Sequence, residues 1–331
     1  MLEVSIIIKE VSIEIIRKCP NNCLHCSSFS DENCSEVLDY DRFVDVVIDA
    51  NNLGVKTICI SGGEPFLHIR IADMVEFITS LGMQTYIYTS GVVLDENSQK
   101  ASIDSALLCK ISSKVTKLIF NIEAAAPNTY NKITGTTDCF EKMKQSVRNA
   151  DGCGITTEAH FVPMKMNIGE VHAVVELCKE LNISKLSFLR LVLHGRAQEN
   201  ASKIALTDVE TLALKTKLET LKQQSKIDIR IGVPLSTNQS CHKCEAANGK
   251  LNIKYDGYVY PCEVFKNERM TNFFANIRPD SIYKRSLLEI YQESDYLKTV
   301  RNLSREYSCT GNCETCIGQH LINSAGGIYY E

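Results

Sequence analysis

Eight residues near the start of the chain, Cys19-Pro-Asn-Asn-Cys23-Leu-His-Cys26, carry three thiols with three and then two residues between them. A CxxC pair alone reads as a redox dithiol or half of a zinc site. Three thiolates on one tight loop suit three corners of an iron–sulfur cube instead. A cube needs four ligands, so one iron keeps an open position, and open positions are where metals do chemistry. His25 is a candidate fourth ligand, but it lies between two cysteines and cannot easily turn back onto the same cube. A zinc knuckle or a disulfide cluster is the competing reading of these thiols.

Further along, a β-branched run at 55–60 reads as a buried strand and ends at Ser61-Gly62-Gly63-Glu64-Pro65. Paired glycines let backbone approach a ligand, and Glu64 is an acceptor suited to an ammonium group. In isolation a Gly-Gly turn after a strand is common. Downstream of the three cysteines it resembles, with them, the radical S-adenosylmethionine (radical SAM) superfamily. The resemblance implies that Cys19, Cys23 and Cys26 hold a 4Fe–4S cluster whose open iron chelates SAM. An electron then cleaves SAM to methionine and a 5′-deoxyadenosyl radical that abstracts hydrogen. Gly62, Gly63, Glu64 and Pro65 correspond to the family motif that holds the SAM amino group. Ser90, after a strand at 85–89, stands where the family has Asn near the ribose. Asn121 and Glu123 occupy the end of the next strand, where relatives have Ser-Leu-Asp. The stretch 130–135 resembles the loop that follows.

The elements that position these residues alternate. Strands are expected at 2–16, 55–60, 85–89, 115–122, 155–162 and 185–192. Helices are expected near 40–53, 69–82, 96–112, 137–150 and 168–181. Such an order gives a parallel sheet with ligands gathered at the carboxyl ends of the strands. By resemblance it is a partial (β/α)6 TIM-like barrel over 1–205. Glu158 and His160 share one strand face, where a substrate role competes with a buried polar network. Arg190 and Arg196, in a Gly-Arg-Ala segment seen in relatives, are candidates to meet a carboxylate bidentately or merely to cap a helix.

Residues 206–235 read as a connecting helix and strand. Cysteines then return: Cys241 and Cys244, an Asp256-Gly257 hairpin leading to Cys262, then Cys309, Cys313 and Cys316. On spacing alone this suits a zinc ribbon. With the N-terminal motif present, 236–331 resembles the SPASM and twitch domains, which hold auxiliary 4Fe–4S clusters. The twitch pattern assigns one such cluster to Cys244, Cys262, Cys313 and Cys316. It leaves Cys241 and Cys309 over, either spare or part of a second, incomplete site.

Composition fits an ordinary globular protein: 331 residues, 44% hydrophobic, 23% charged and a net charge of −4. Nothing marks a nucleic-acid or membrane partner. The N-terminus lacks the basic region of a signal peptide, so a cytoplasmic location is expected. Fifteen cysteines without an export signal favour metal ligation over disulfides. The scattered remainder read as small buried hydrophobes, with Cys153 as a spare thiol for hydrogen donation. The resemblance implies a peptide-modifying maturase that makes a cross-link, a thioether, an epimer or an oxidised side chain. It also implies an electron donor such as flavodoxin or ferredoxin. With only 18 residues before Cys19, leader recognition is expected from the barrel or a separate protein. The alternatives are a small-molecule dehydrogenase of the aminocyclitol type and a zinc-binding scaffold. A molybdopterin-precursor synthase fits less well, because Gly326-Gly327 does not end the chain.

Overall fold

A computed structural model describes residues 8–232, 235–236, 244–267, 274, 277–309, 316–318 and 321, without the side chains of 307–309. Eleven strands occur among them: β1 (Glu10–Ile16), β2 (Thr57–Gly62), β3 (Gln84–Thr89), β4 (Val92–Leu94), β5 (Lys100–Ser102), β6 (Lys117–Asn121), β7 (Thr157–Phe161), β8 (Lys185–Phe188), β9 (Asp228–Ile231), β10 (Lys250–Ile253) and β11 (Val259–Tyr260). Nine form one sheet in the order β11-β10-β1-β2-β3-β6-β7-β8-β9, parallel throughout except for β11. Helices connect the central strands, giving the expected α/β architecture, a sheet curved into a partial barrel. Strand β9 lies in the connecting region at 206–235 and pairs with β8, while β10 pairs with β1.

The two faces of the sheet differ in kind. Ile13, Ile60, Ile87 and Leu118 lie side by side in register and are fully buried, as a face packed against helices must be. The neighbouring row on the opposite face is Ser12, Cys59, Tyr86 and Lys117, and further along lie Asn121, His160, Ser187 and Arg230. Parallel strands covered on both faces read as continuous apolar runs. A polar face therefore borders something other than hydrophobic core.

The helices form where sequence rules place them. Over Tyr40–Asn52, Asp39 caps the first turn by accepting from the Asp41 and Arg42 amides, and Phe43, Val46, Val47 and Ala50 make the buried stripe. The connecting helix Asp208–Gln224 opens on a capping box between Thr207 and Glu210.

Two expectations fail. The helix near 96–112 is a β4–β5 hairpin followed by a short helix, Ser105–Ile111. The Asp95 carboxylate accepts from the Asn97 and Gln99 amides at 2.9 and 2.8 Å, and this local turn outcompetes helix. Cys153 is not a spare thiol, because it forms a disulfide with Cys109 that joins helix Ser105–Ile111 to the end of helix Phe140–Gly152. Cys59, Cys139 and Cys178 are buried, as expected.

A bridge closing a loop of this length stabilises by about 2–4 kcal/mol. Cys109→Ser should therefore unfold in urea at a lower midpoint than the oxidised protein and match the protein treated with reductant. Equal midpoints for all three would remove the cross-link from the folded state.

Candidate active site

The cysteine loop follows β1 and has almost no regular structure, so its backbone groups need partners from elsewhere. Two distant segments supply them. The Asn22 and Leu24 amides donate to the Thr134 and Ile133 carbonyls, both at 2.9 Å. Arg196 donates from its own backbone amide to Cys26 O at 2.9 Å, from Nε to Cys23 O at 2.8 Å and from Nη2 to Ser30 O at 2.6 Å. Asn200 adds a bond to Leu24 O. Gly195 is forced here, with a positive φ and a position where a Cβ would lie 2.6 Å from Cys26 O. Arg196 is thus committed to main-chain carbonyls and does not serve as a carboxylate receptor.

Cys19, Cys23 and Cys26 line one cavity together with Gly62 and Gly63. Burial pushes the Cys19 and Cys23 thiols well above their ordinary range, and nearby anionic groups push them further: Glu64 and Cys26 for Cys19, and Cys19 for Cys23. The Gly63 amide donates to Ile16 O at 2.6 Å, and a Cβ at Gly63 would sit 2.2 Å from Lys18 O. The paired glycines therefore let β2 press against the start of the cysteine loop.

Ser90, Asn121 and Glu123 also reach the cavity wall. His25 Nε2 lies 3.2 Å from Glu123 Oε1. Burial disfavours the charged imidazole, but the Glu123 carboxylate more than reverses this and raises its pKa. Three other expected residues are not on the wall. Glu64 is fully buried and accepts from Thr89 Oγ1 (2.7 Å), Ser90 Oγ (2.6 Å) and the Ser90 and Phe66 amides. Burial raises its pKa against the pull of these hydrogen bonds. It ties the end of β2 to the end of β3 and occupies the Ser90 hydroxyl. Pro65 begins the turn Pro65–Leu67, and Arg190 lies beyond the end of β8.

Glu158 and His160 settle as a polar network on the sheet face. Glu158 pairs with Lys117 at 2.8 Å, and His160 lies against Tyr88 with ring centroids 5.4 Å apart. Burial, then the positive charges of Arg230, Lys117 and Lys250, lower the His160 pKa to about 3.

The wall fits an iron–sulfur centre with a bound organic ligand. Six buried polar atoms on it have no hydrogen-bond partner within the protein: Glu14 Oε2, Asn21 Oδ1, His25 Nδ1, Ser30 Oγ, Glu123 Oε2 and Tyr130 Oη. The three thiols are free of disulfides. Thiols disfavoured as anions by burial and by one another gain most from a cationic centre. Among the described residues no three ligating side chains crowd closely enough for a single metal ion, whereas the thiols of a cube each hold a different iron and stand further apart.

In the C-terminal region Cys244, Cys262 and Cys316 approach one another. Cys262 is pushed up to about 12 by burial and then by Cys316 and Cys244, and Cys244 is raised by burial and Cys316. Ser304, on helix Asp295–Cys309, holds Cys244 O. Cys241, Cys313 and the Cys309 side chain lie outside the described residues.

Sequence reasoning missed several wall residues, among them Glu14, Ser28, Tyr88, Glu263 and Lys266. Alternation along β1 and β3 places Glu14 and Tyr88 on the polar face and was the available signal. Nothing local marks Glu263 or Lys266.

A family profile described as the radical SAM superfamily matches residues 13–178. The chain belongs to the radical SAM superfamily. A second profile, the iron–sulfur cluster-binding domain SPASM, matches residues 240–317. The chain is therefore a radical SAM enzyme with a C-terminal SPASM domain, one that binds SAM and iron–sulfur clusters. It is 24% identical over 322 residues to the PqqA peptide cyclase of Rhizobium meliloti, covering 94% of this chain and 83% of that protein. It is 23% identical to a probable GTP 3′,8-cyclase of Methanocaldococcus jannaschii, covering 82% of this chain and 90% of that one. Among solved structures, Streptococcus suis SuiB bound to S-adenosylmethionine superposes with a TM-score of 0.70 at 15% identity, over 90% of this chain and 68% of SuiB. The enzyme anSMEcpe with bound AdoMet gives a TM-score of 0.67 at 14% identity, over 89% and 83%. At these identities the solved structures speak for the fold.

Hydrogen bonds from a charged donor contribute about 1.5–3 kcal/mol each. Replacing Arg196 by Lys, which lacks the planar fork, should loosen the cysteine loop. Iron bound after anaerobic reconstitution should fall several-fold, with a lower melting temperature. Unchanged iron content would show that the loop holds its shape without the clamp.

Proposed function

We propose that this radical SAM enzyme modifies a peptide. The carrying observation is that one cavity is walled by Cys19, Cys23 and Cys26 on the barrel and by Glu263 and Lys266 just after Cys262 in the SPASM domain. A substrate there meets the first cysteine set and residues that follow Cys262 of the second. On this reading Cys19, Cys23 and Cys26 hold the SAM cluster, and Gly62 and Gly63 admit the methionine end of SAM to close backbone contact. Glu64 acts by positioning, since it fixes the turn and the Ser90 side chain beside the cavity. Asn121, Glu123 and His25 offer polar atoms to the nucleoside end. A cluster held there supplies low-potential electrons and, through SAM, a 5′-deoxyadenosyl radical for hydrogen abstraction. Cys244, Cys262, Cys313 and Cys316 hold one auxiliary 4Fe–4S cluster, with Cys241 and Cys309 spare. Electrons come from a flavodoxin- or ferredoxin-type donor, and a separate leader-binding protein is a candidate partner.

Two features favour a peptide over a nucleoside triphosphate. Full-length similarity extends to a peptide cyclase, and SuiB has been solved with a precursor peptide. The GTP cyclase relatives act on a polyanion. Among the described residues Lys266 is the only Lys or Arg on this wall, and both Glu14 and Glu263 already claim it. Phosphate recognition calls for unpaired Arg or Lys donors.

Anaerobic reconstitution should give about eight irons per chain, and about four when Cys19, Cys23 and Cys26 are all replaced by Ala. Only the intact protein should release 5′-deoxyadenosine with dithionite and SAM. A triple variant that still made it would displace these ligands from their role. Co-expression with short peptides encoded nearby should yield a mass change that the triple variant does not produce. Unaltered peptides alongside turnover of a small metabolite would overturn the peptide reading.

A further inference from the structure

One part of the cavity wall is built unlike the rest. Glu14, from β1, and Lys266, from the turn Glu263–Lys266, are both buried, with side chains 4% and 2% exposed. The Lys266 ammonium has three protons. They go to Glu14 Oε1, to Glu263 Oε2 and to Ser28 Oγ at 3.4 Å. The Ser28 hydroxyl donates in turn to Glu14 Oε1 at 2.9 Å, and Asn252 donates to Glu263 Oε1. Two buried atoms of this cluster lack a hydrogen-bond partner within the protein, Asn252 Oδ1 and Glu14 Oε2. Of these two residues only Glu14 lines the cavity.

Two carboxylates share one ammonium. Glu263 is half exposed and its charge is screened by water, whereas Glu14 is buried and its second oxygen has neither a protein donor nor access to solvent. Leaving a buried charged acceptor without a donor costs more than the ~1–3 kcal/mol of a neutral group. A ligand that brings both a hydrogen and a positive charge removes the cost, whereas a neutral amide brings only the hydrogen. A carboxylate or phosphate would meet a charge of its own sign, and Lys266 has no proton left to offer it.

We propose that Glu14 Oε2 anchors a protonated primary amine of the substrate. Glu14 selects for that amine, while Lys266, Ser28 and Glu263 hold its carboxylate in place. The amine is either a side-chain or a terminal one, since both present the same ammonium. The inference rests on this cavity being the substrate site, but not on the substrate being a peptide.

The test uses the reconstituted full chain, immobilised and saturated with SAM. Three random hexapeptide libraries serve as probes: acetyl-capped with lysine, uncapped without lysine, and capped without lysine. Bound peptide is quantified by mass spectrometry. One amine-bearing library should be captured about tenfold over the capped lysine-free one, the size expected for a single charged hydrogen bond. The library that wins tells a side-chain amine from a terminal one. In parallel, n-hexylamine and n-hexanol are compared by the shift in melting temperature each produces.

The preference should vanish in Glu14→Gln and also in Glu14→Gln with Lys266→Met, which leaves no buried charge unpaired. Iron content and SAM binding check that both variants fold. Preference for hexylamine without preference among peptides would keep the anchor and dismiss the peptide reading. Equal binding of amine and alcohol, together with equal capture of all libraries, would overturn the anchor. So would a preference that survives both variants.

Discussion

The active site depends on the anchoring of a loop that cannot hold itself. Between β1 and the first helix the chain makes few backbone bonds of its own, yet it must keep three thiols in one place. Arg196 meets three of its carbonyls, and the end of helix Pro127–Thr134 meets two of its amides. Gly195 and Gly135 let those segments come close enough, since a Cβ at either would collide with loop backbone. The thiol positions are therefore fixed by residues more than a hundred positions away, on the fourth and sixth strand-to-helix connections of the barrel.

The second determinant is the division between the two faces of the sheet. Rows of Ile and Leu on one face bury against helices, and rows of Ser, Tyr, Asn and His on the other do not. Burial of the apolar face stabilises the sheet at roughly 25 cal/mol per Å². The polar face contributes little to that and is free to serve ligands. Near the mouth it carries Glu14, Ser61, Tyr88 and Asn121. Deeper down it pairs charges internally, as in Lys117 with Glu158, so that no lone ion is buried.

What could be seen in the sequence follows from how local each signal is. The thiol spacing, the Gly-Gly turn and the β-branched runs of β2, β3 and β6 each lie within a few residues, and the sheet and the cysteine loop were legible from them. The β4–β5 hairpin hid behind helix-compatible residues, because the Asp95 turn that decides it depends on two hydrogen bonds to a single side chain. Arg196 looked like a ligand for an anion because nothing local shows that loop carbonyls 166 and 173 positions away would claim it. Glu64 was read as facing SAM, and only the fold reveals that Thr89 and Ser90 take both its oxygens. The Glu14–Lys266 pair spans 252 positions and has no periodic signature.

Strand β10 lies parallel to β1, and the two exchange ladder bonds from Glu10↔Lys250 to Ile13↔Ile253. β1 runs into Cys19, and β10 leads through β11 to Cys262. The spacing between the thiol sets is thus cut into sheet backbone, like two marks on one ruler, and not left to a tether. Such a gap cannot widen for a bulkier guest or narrow for a smaller one. Nor can either half be lifted out and grafted elsewhere without exposing a raw sheet edge. Diversification of this scaffold must proceed by re-lining a gap of constant width.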